Sequence, residues 1–140
     1  MKTLIIIGTI LILFSGMSNG VHETLVWHQT QFKAKFPKAN ELYWNPYKSW
    51  ENKCKTGEGY NPDIKCVPKF FGADSFLVFL TDAKHLFSEL QRDLLALGIF
   101  LLTIGILKGK SAWRWKVFII LAGSYIVQSI GFHLVYTLYF

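Results

Sequence analysis

The sequence predicts a mainly α-helical membrane protein, in which a membrane helical hairpin follows an N-terminal signal or anchor helix and a small, loop-rich, aromatic external domain. Three observations predict this fold class. Of the 140 residues, 51% are hydrophobic and only 17% are charged, whereas soluble domains average roughly 25% charged residues. The apolar residues concentrate in three runs, at residues 3–14, 94–107 and 117–138. The net charge of +6 is concentrated in the link between the last two runs.

The distribution of charge excludes a nucleic-acid partner and sets the orientation. Residues 21–93 are nearly balanced, whereas residues 108–116 carry four cations and no acid: Lys108, Lys110, Arg114 and Lys116. A nucleic-acid binder groups its cations on one folded face, whereas a short basic loop between apolar spans is typical of the cytoplasmic side. We therefore expect a multi-pass protein of the bacterial inner (plasma) membrane, with residues 21–90 facing outward.

The N-terminal segment, residues 1–20, has the layout of a secretory signal. Lys2 precedes an apolar run of about a dozen residues, and Ser18-Asn19-Gly20 places small side chains where a signal peptidase cleaves. The run of 12–14 apolar residues is shorter than the roughly 20 needed to span a bilayer. A cleaved signal peptide and a short anchor helix both fit, and either one exports the chain from residue 21 onward.

Residues 21–81 form the predicted external region, which is rich in aromatic residues, Lys, Asn and Pro. The pattern of Val21–Lys38 predicts one amphipathic helix or an extended arm, with Leu25, His28, Phe32 and Phe36 spaced by three or four residues. Prolines at 37, 46, 62 and 68 make the following stretch a loop. Such a region cannot build a large core, so we expect it to pack on itself and on the membrane interface.

Residues 82–140 form the predicted transmembrane hairpin. We expect one helix from Asp82 to Leu107 with an exposed first turn, and a second span from Val117 to about Tyr136. Leu86, Leu90, Leu94 and Leu97 recur on one side of the first helix.

Small residues recur at seven-residue spacing in both predicted spans. The pairs are Gly98 with Gly105, and Ser124 with Gly131. Small side chains let membrane helices approach closely, so these positions predict a tight hairpin or a contact face for another subunit.

The two cysteines, Cys54 and Cys66, both fall in the region placed outside. An oxidising compartment favours a disulfide between them, and two free thiols are the alternative. A zinc site needs about four ligands at short paired spacings, which the sequence does not provide, so we predict no metal site.

A polar-aromatic cluster is the candidate binding surface. Its members are Trp44, Asn45, Ser49, Trp50, Asn52 and Lys53. The cluster reads either as a recognition surface for a headgroup, glycan or protein, or as a structural clip in which asparagine amides cross-link the loop. Turn chemistry explains most of these residues, which favours the clip.

Asp82, His85 and His133 are the candidate catalytic residues. Thr81 or Asp82 is a natural N-cap. The spacing of three between Asp82 and His85 also suits a metal site or an acid–base pair. His133 lies within the second span, level with about Gln91, where an ionisable residue is a functional candidate; the alternative is a hydrogen bond to Gln128, Tyr136 or water. His85 and His133 could ligate a haem, but no attachment motif supports one, so we predict no cofactor.

Two motifs resemble a known family. The segments W-N-P-x-x-S-W-x-N-K at Trp44–Lys53 and F-L-V-F-L-T-D-x-x-H at Phe76–His85 resemble a family of small, uncharacterised bacterial membrane proteins. The resemblance covers roughly residues 20–100 and implies the order of signal segment, aromatic loop and membrane hairpin. It implies no catalytic residue.

Two functions follow from these residues. The first is an accessory or scaffold subunit, partnered by the lipid bilayer and by another membrane protein or a second copy, that contacts a protein or lipid through its external aromatic region. The alternative is a membrane-interface hydrolase, or a metal- or haem-binding subunit, that uses Asp82, His85 and His133. The sequence shows no nucleophile motif, which favours the first.

Overall fold

The computed structural model describes residues 2–55, 67–107 and 113–139, and these are mainly helical, as the sequence predicted. Within those ranges there is no β-strand, only an isolated bridge between Cys54 and Pro68. Short 3-10 helices cover Ser49–Lys53 and Val78–Leu80. The α-helices are α1 (Lys2–Trp27), α2 (Gln29–Lys35), α3 (Glu41–Trp44), α4 (Ala83–Ile106) and α5 (Trp113–Tyr139).

The chain divides into two compact units. Residues 1–20 and 90–139 form one, here called the helical unit, and residues 21–89 form the other, here called the loop-rich unit. The predicted cytoplasmic link is only partly visible, because residues 108–112 lie outside the described residues.

Two described helices are long and apolar enough to cross a membrane: α1, and α5 from Trp115 to Thr137. The N-terminal helix is therefore longer than its 12–14 apolar residues suggested, because Ser15–Gly20 continue it to Trp27. The predicted span over residues 82–107 is not among these helices. The first half of α4 carries Glu89, Arg92 and Asp93, which leaves an uncharged stretch shorter than the roughly 20 residues a span needs.

Small residues do bring helices together in the helical unit, but their partner is α1. A Cβ on Gly98 of α4 would lie 2.9 Å from the Gly8 carbonyl oxygen, and one on Gly131 of α5 would lie 2.2 Å from the Leu13 carbonyl oxygen. Both approaches leave room for a hydrogen atom only. The expected hairpin contact between the two later helices is thus replaced, at these glycines, by contacts of each helix with the N-terminal one.

The core of the helical unit is narrow. Ile12 of α1, Leu102 of α4 and Ile120 of α5 form its buried cluster, and Ile12 is completely inaccessible. The hydroxyl of Ser15 donates a hydrogen bond of 2.7 Å to the backbone carbonyl of Gln91.

The loop-rich unit corrects two predictions. Val21–Lys38 is not one helix, because α1 ends at Trp27 and α2 begins at Gln29. Leu25 and Phe32 face the small core as expected, where Trp44 stacks on Phe32 with ring centroids 5.3 Å apart, but Phe36 is 44% exposed.

The first turn of α4, which was expected to be exposed, is buried at its start and exposed at His85. Asp82 and Ala83 have no accessible surface, because Ala83 packs with Leu25 and Phe32 in that core.

Candidate functional site

The Asp82–His85 pair forms a hydrogen-bonded dyad at the start of α4. One carboxylate oxygen of Asp82 accepts a hydrogen bond of 2.8 Å from the backbone N–H of His85, which is the predicted N-cap. The other oxygen lies 2.7 Å from Nδ1 of the His85 ring. The Asp82 side chain is fully buried, whereas that of His85 is 47% exposed. A buried carboxylate therefore orients the imidazole and directs its Nε2 edge away from the dyad.

The charge of Asp82 also acts on a neighbouring phenol. Burial raises the pKa of Tyr43 above its usual value, and the negative charge of Asp82 raises it further. Tyr43 is accordingly neutral at physiological pH and packs against the core of this unit.

Asn52 connects the polar-aromatic cluster to the dyad. Its side-chain amide donates a hydrogen bond to the backbone carbonyl of Thr81, and its carbonyl oxygen accepts one from Nζ of Lys69. Asn52 is only 7% exposed and Thr81 only 1%. The carboxamide thus cross-links three loop segments directly beside Asp82, in the manner expected from the sequence.

The other predicted binding residues have structural roles. Oδ1 of Asn45 accepts a hydrogen bond from the backbone N–H of Tyr47, which is an Asx turn. Ser49 is 4% exposed, and its hydroxyl lies 3.4 Å from the Pro46 carbonyl oxygen. Trp44 belongs to the core. These contacts fit the clip better than an open recognition surface.

Lys53 and Trp50 are the last two members of the cluster. The backbone carbonyl of Lys53 accepts a hydrogen bond from Lys69 N–H. The side chain of Trp50 lies outside the described residues.

Cys54 is 4% exposed, and the described ranges contain no free cysteine. Cys66 lies outside the described residues, so the pairing of Cys54 with Cys66 stays a prediction.

His133 lies in the helical unit, on α5. Its Nδ1 is 3.2 Å from the Thr137 hydroxyl, a partner one helical turn away that replaces the expected Gln128 or Tyr136. His133 and Gln91 line the same cavity, so the two residues are level, as counting along the helices predicted. The cavity measures about 410 Å³.

Sequence reasoning missed an exposed apolar loop in the loop-rich unit, residues 67–80, here called the phenylalanine loop. Phe71 is 86% exposed and Phe76 is 64% exposed, and their rings meet edge to face at 5.8 Å. Gly72 has φ of +80°, and a Cβ there would lie 2.9 Å from the Phe76 ring. Only glycine suits this turn. The run F-F-G-A-D-S-F in the sequence was the available signal.

Sequence reasoning also missed a charge cluster around Glu41. Lys33 and Lys48 both donate hydrogen bonds to its carboxylate, the latter at 2.9 Å. These bonds and the two positive charges lower the pKa of Glu41 to about 2. The hydrogen bond with Glu41 raises the pKa of Lys48 in turn. The cluster ties α2 to α3 at the surface.

Within the described ranges, no three His, Cys, Asp or Glu residues are grouped so as to hold a metal ion. No family model, curated protein or solved structure matches this chain. Its function must therefore be argued from its own residues.

Proposed function

We propose that this chain is an accessory subunit of the bacterial inner membrane, which anchors itself through the helical unit and binds another membrane protein through the phenylalanine loop. The proposed anchoring rests on where small and large side chains lie in the helical unit, which is the reverse of their arrangement in a soluble protein. The closest helix contacts of the unit are at glycine and serine, and its buried apolar cluster is small. Large apolar side chains cover its outside, among them Ile6, Phe100, Phe118, Ile119 and Ile126, which are each 58–63% exposed.

Low burial separates these helices from the core helices of a soluble protein. Of the most apolar 18-residue window, 33% is buried in α1 and 17% in α5. Contiguous apolar surface of this extent is unfavourable in water and favourable in lipid, and close packing through small residues is typical of membrane helices.

The same packing favours a retained anchor over a cleaved signal peptide. A Cβ on Gly16 would lie 2.0 Å from the Gln128 carbonyl oxygen, and one on Gly20 would lie 3.0 Å from the Phe132 carbonyl oxygen. Gly16 and Gly20 form the G-x-x-x-G pattern of helix association, inside the segment that otherwise resembles a cleavage region. Removal of residues 1–20 would take away the helix on which α4 and α5 pack.

The single observation that supports partner binding is the fixed presentation of the phenylalanine loop. Backbone hydrogen bonds from Lys55 N–H to the Val67 carbonyl and from Lys69 N–H to the Lys53 carbonyl hold its first end, and the Asn52–Thr81 bond holds its last. Exposed aromatic side chains on a rigid support are typical of interaction hot spots.

The charge of the loop favours a protein over a lipid surface. Residues 67–80 contain one cation, Lys69, and one acid, Asp74, and Nζ of Lys69 is hydrogen-bonded to Asn52. Segments that bind anionic lipid surfaces carry several cations beside their apolar residues. The loop offers no such excess.

Site-specific photo-crosslinking tests this proposal. With p-benzoylphenylalanine at Phe71, irradiated cells should yield one discrete protein adduct, whereas the same probe at Tyr47 should yield none. Tyr47 is a matched control because it is an aromatic residue of the same unit and is 71% exposed. Lipid adducts alone at Phe71, or the same adduct at both positions, would contradict the proposal.

A second candidate function rests on the Asp82–His85 bond. A carboxylate that binds Nδ1 leaves Nε2 available as a base or as a ligand for a metal or haem. Asp82→Asn keeps a capping oxygen, since Asn caps as well as Asp, but removes the charge. If the dyad carries chemistry, Asp82→Asn and His85→Gln should give stable, normally inserted proteins that fail to complement a deletion. Complementation by both variants would exclude chemistry at the dyad, and helix capping would then be the role of Asp82.

A further inference from the structure

The cavity of the helical unit has walls from three helices. Its polar lining comes from Asn19 of α1, Gln91 of α4, and Tyr125, Gln128, Ser129 and His133 of α5. Among the described residues, no carboxylate, lysine or arginine lines it. The walls therefore offer neutral hydrogen-bond donors and acceptors, arranged around about 410 Å³.

One of these polar groups, Gln128, lies where a polar group is costly. Gln128 is near the middle of the 23-residue apolar segment Trp115–Thr137, and a polar group buried in hydrocarbon needs a hydrogen-bond partner. Among the described residues, no side-chain hydrogen bond is made by the carboxamides of Asn19, Gln91 or Gln128. Each carboxamide has two donor hydrogens and an acceptor oxygen, all of which remain available to a molecule in the cavity.

An aromatic wall completes the site. The Phe132 ring lines the cavity and stacks on Tyr136, with ring centroids 4.8 Å apart. The His133 ring meets it edge to face at 5.3 Å. A flat ring can therefore lie against Phe132 while groups at its edge reach the donors on the facing helices.

We propose that this cavity binds a quinone. A quinone is neutral and lipid-soluble, its ring is flat, and its two carbonyl oxygens accept hydrogen bonds at opposite edges. The carboxamides of three helices and the imidazole of His133 supply donors on more than one wall. The volume lies within the range of about 300–1,000 Å³ typical of small-molecule sites.

Other occupants match the lining less well. In the part of the chain that the structure describes, a cation would find no carboxylate in the lining, and a phosphate headgroup would find no lysine or arginine. A hydrocarbon chain would leave the three carboxamides without hydrogen-bond partners. The proposal concerns binding alone and is independent of the partner contact through the phenylalanine loop.

Retention of menadione by the full chain in phosphatidylcholine nanodiscs tests the site. Empty nanodiscs measure partition into lipid, which is linear in concentration, so a site adds a saturable excess of about one menadione per chain. The matched ligand is 2-methylnaphthalene, which has the same ring and methyl group but no carbonyl oxygens, and it should show no saturable excess.

Variants locate the binding. Gln128→Leu and His133→Phe should each weaken menadione retention about tenfold, the equivalent of one net hydrogen bond. Ser124→Ala should leave it unchanged, because Ser124 lies on the same helix, is buried, and does not line the cavity. Unchanged helical circular dichroism verifies folding of each variant. No saturable excess, equal retention of 2-methylnaphthalene, or full retention by both cavity variants would overturn the proposal.

Discussion

Replacement of Gly131 by alanine tests the packing of the helical unit most directly. The added Cβ would lie 2.2 Å from the Leu13 carbonyl oxygen and 3.1 Å from both the Leu13 carbonyl carbon and the Met17 nitrogen. All three atoms belong to the backbone of α1, so no side-chain rotation relieves the overlap. The two helices must separate by roughly 1 Å to restore ordinary contact distances of about 3.5 Å between heavy atoms.

Gly123→Ala on the same helix is the matched control, because a Cβ there would meet nothing within 4 Å. Both variants gain the helix preference of alanine over glycine, about 1 kcal/mol, so the difference between them isolates the overlap. Overpacking lowers the free energy of unfolding by about 1–3 kcal/mol. We expect Gly131→Ala to lie at the upper end of that range, because the atoms that the new Cβ meets belong to the backbone and cannot rotate away.

The measurement is the free energy of unfolding in mild detergent, titrated with a denaturing detergent and followed by circular dichroism. Gly131→Ala should unfold at a lower denaturant concentration than Gly123→Ala. Equal stability of the two variants would refute the α1–α5 contact. Loss of residues 1–20 would give the same result, because it removes Leu13 and Met17, the residues that a Cβ on Gly131 would meet.

Three further predictions concern the loop-rich unit and the topology. Asn52→Ala leaves the buried Thr81 carbonyl without its side-chain partner and should lower the free energy of unfolding by about 1–3 kcal/mol, whereas Asn45→Ala, at a more exposed Asx turn, should cost less. Glu41 has a pKa lowered from 4.5 to about 2, so its contribution to stability is complete above about pH 4.5 and is lost as the pH falls toward 2; a carboxyl titration by NMR should show no Glu41 midpoint near 4.5, and Lys33→Met should raise the midpoint. With Ser111→Cys, an impermeant thiol reagent should not label the new cysteine in intact cells, because the link that contains it is proposed to be cytoplasmic. Labelling of this cysteine would show that the orientation is the opposite one.

The sequence predicted the loop-rich unit's hydrogen bonds well, because these depend on local chemistry. Asp82 caps α4 and Asn52 cross-links the loop, and both follow from what a carboxylate or a carboxamide does near a helix start or turn. The phenylalanine loop escaped prediction because exposure depends on which surfaces the rest of the unit covers. Composition alone counts Phe71 and Phe76 as core candidates.

The leucine periodicity of α4 does not mark the contact face of the helical unit. Leu90 and Leu97 were expected on one side of the first helix, and they are 37% and 48% exposed, whereas Leu102 is buried in one cluster with Ile12. Apolar periodicity finds the core-facing side of a helix in water, where burial of large side chains drives packing. In lipid that driving force is absent and small residues mark the contact face. The heptad spacing of Gly98 and Gly105 was therefore the better guide, although it could not identify α1 as the partner helix.

The residues that make the N-terminal segment resemble a signal peptide are the same residues that the helical unit uses. Small side chains at a cleavage region and small side chains at a helix contact are indistinguishable in one sequence. Three features join residues 1–20 to the rest of the unit: the Ser15 hydroxyl binds the Gln91 carbonyl, Gly16 admits the backbone of α5, and Asn19 lines the polar cavity. A cleaved leader needs none of these contacts. Helix packing and the proposed quinone site therefore depend on one condition, that α1 stays in the mature protein, and a chain that lost it would lose both together.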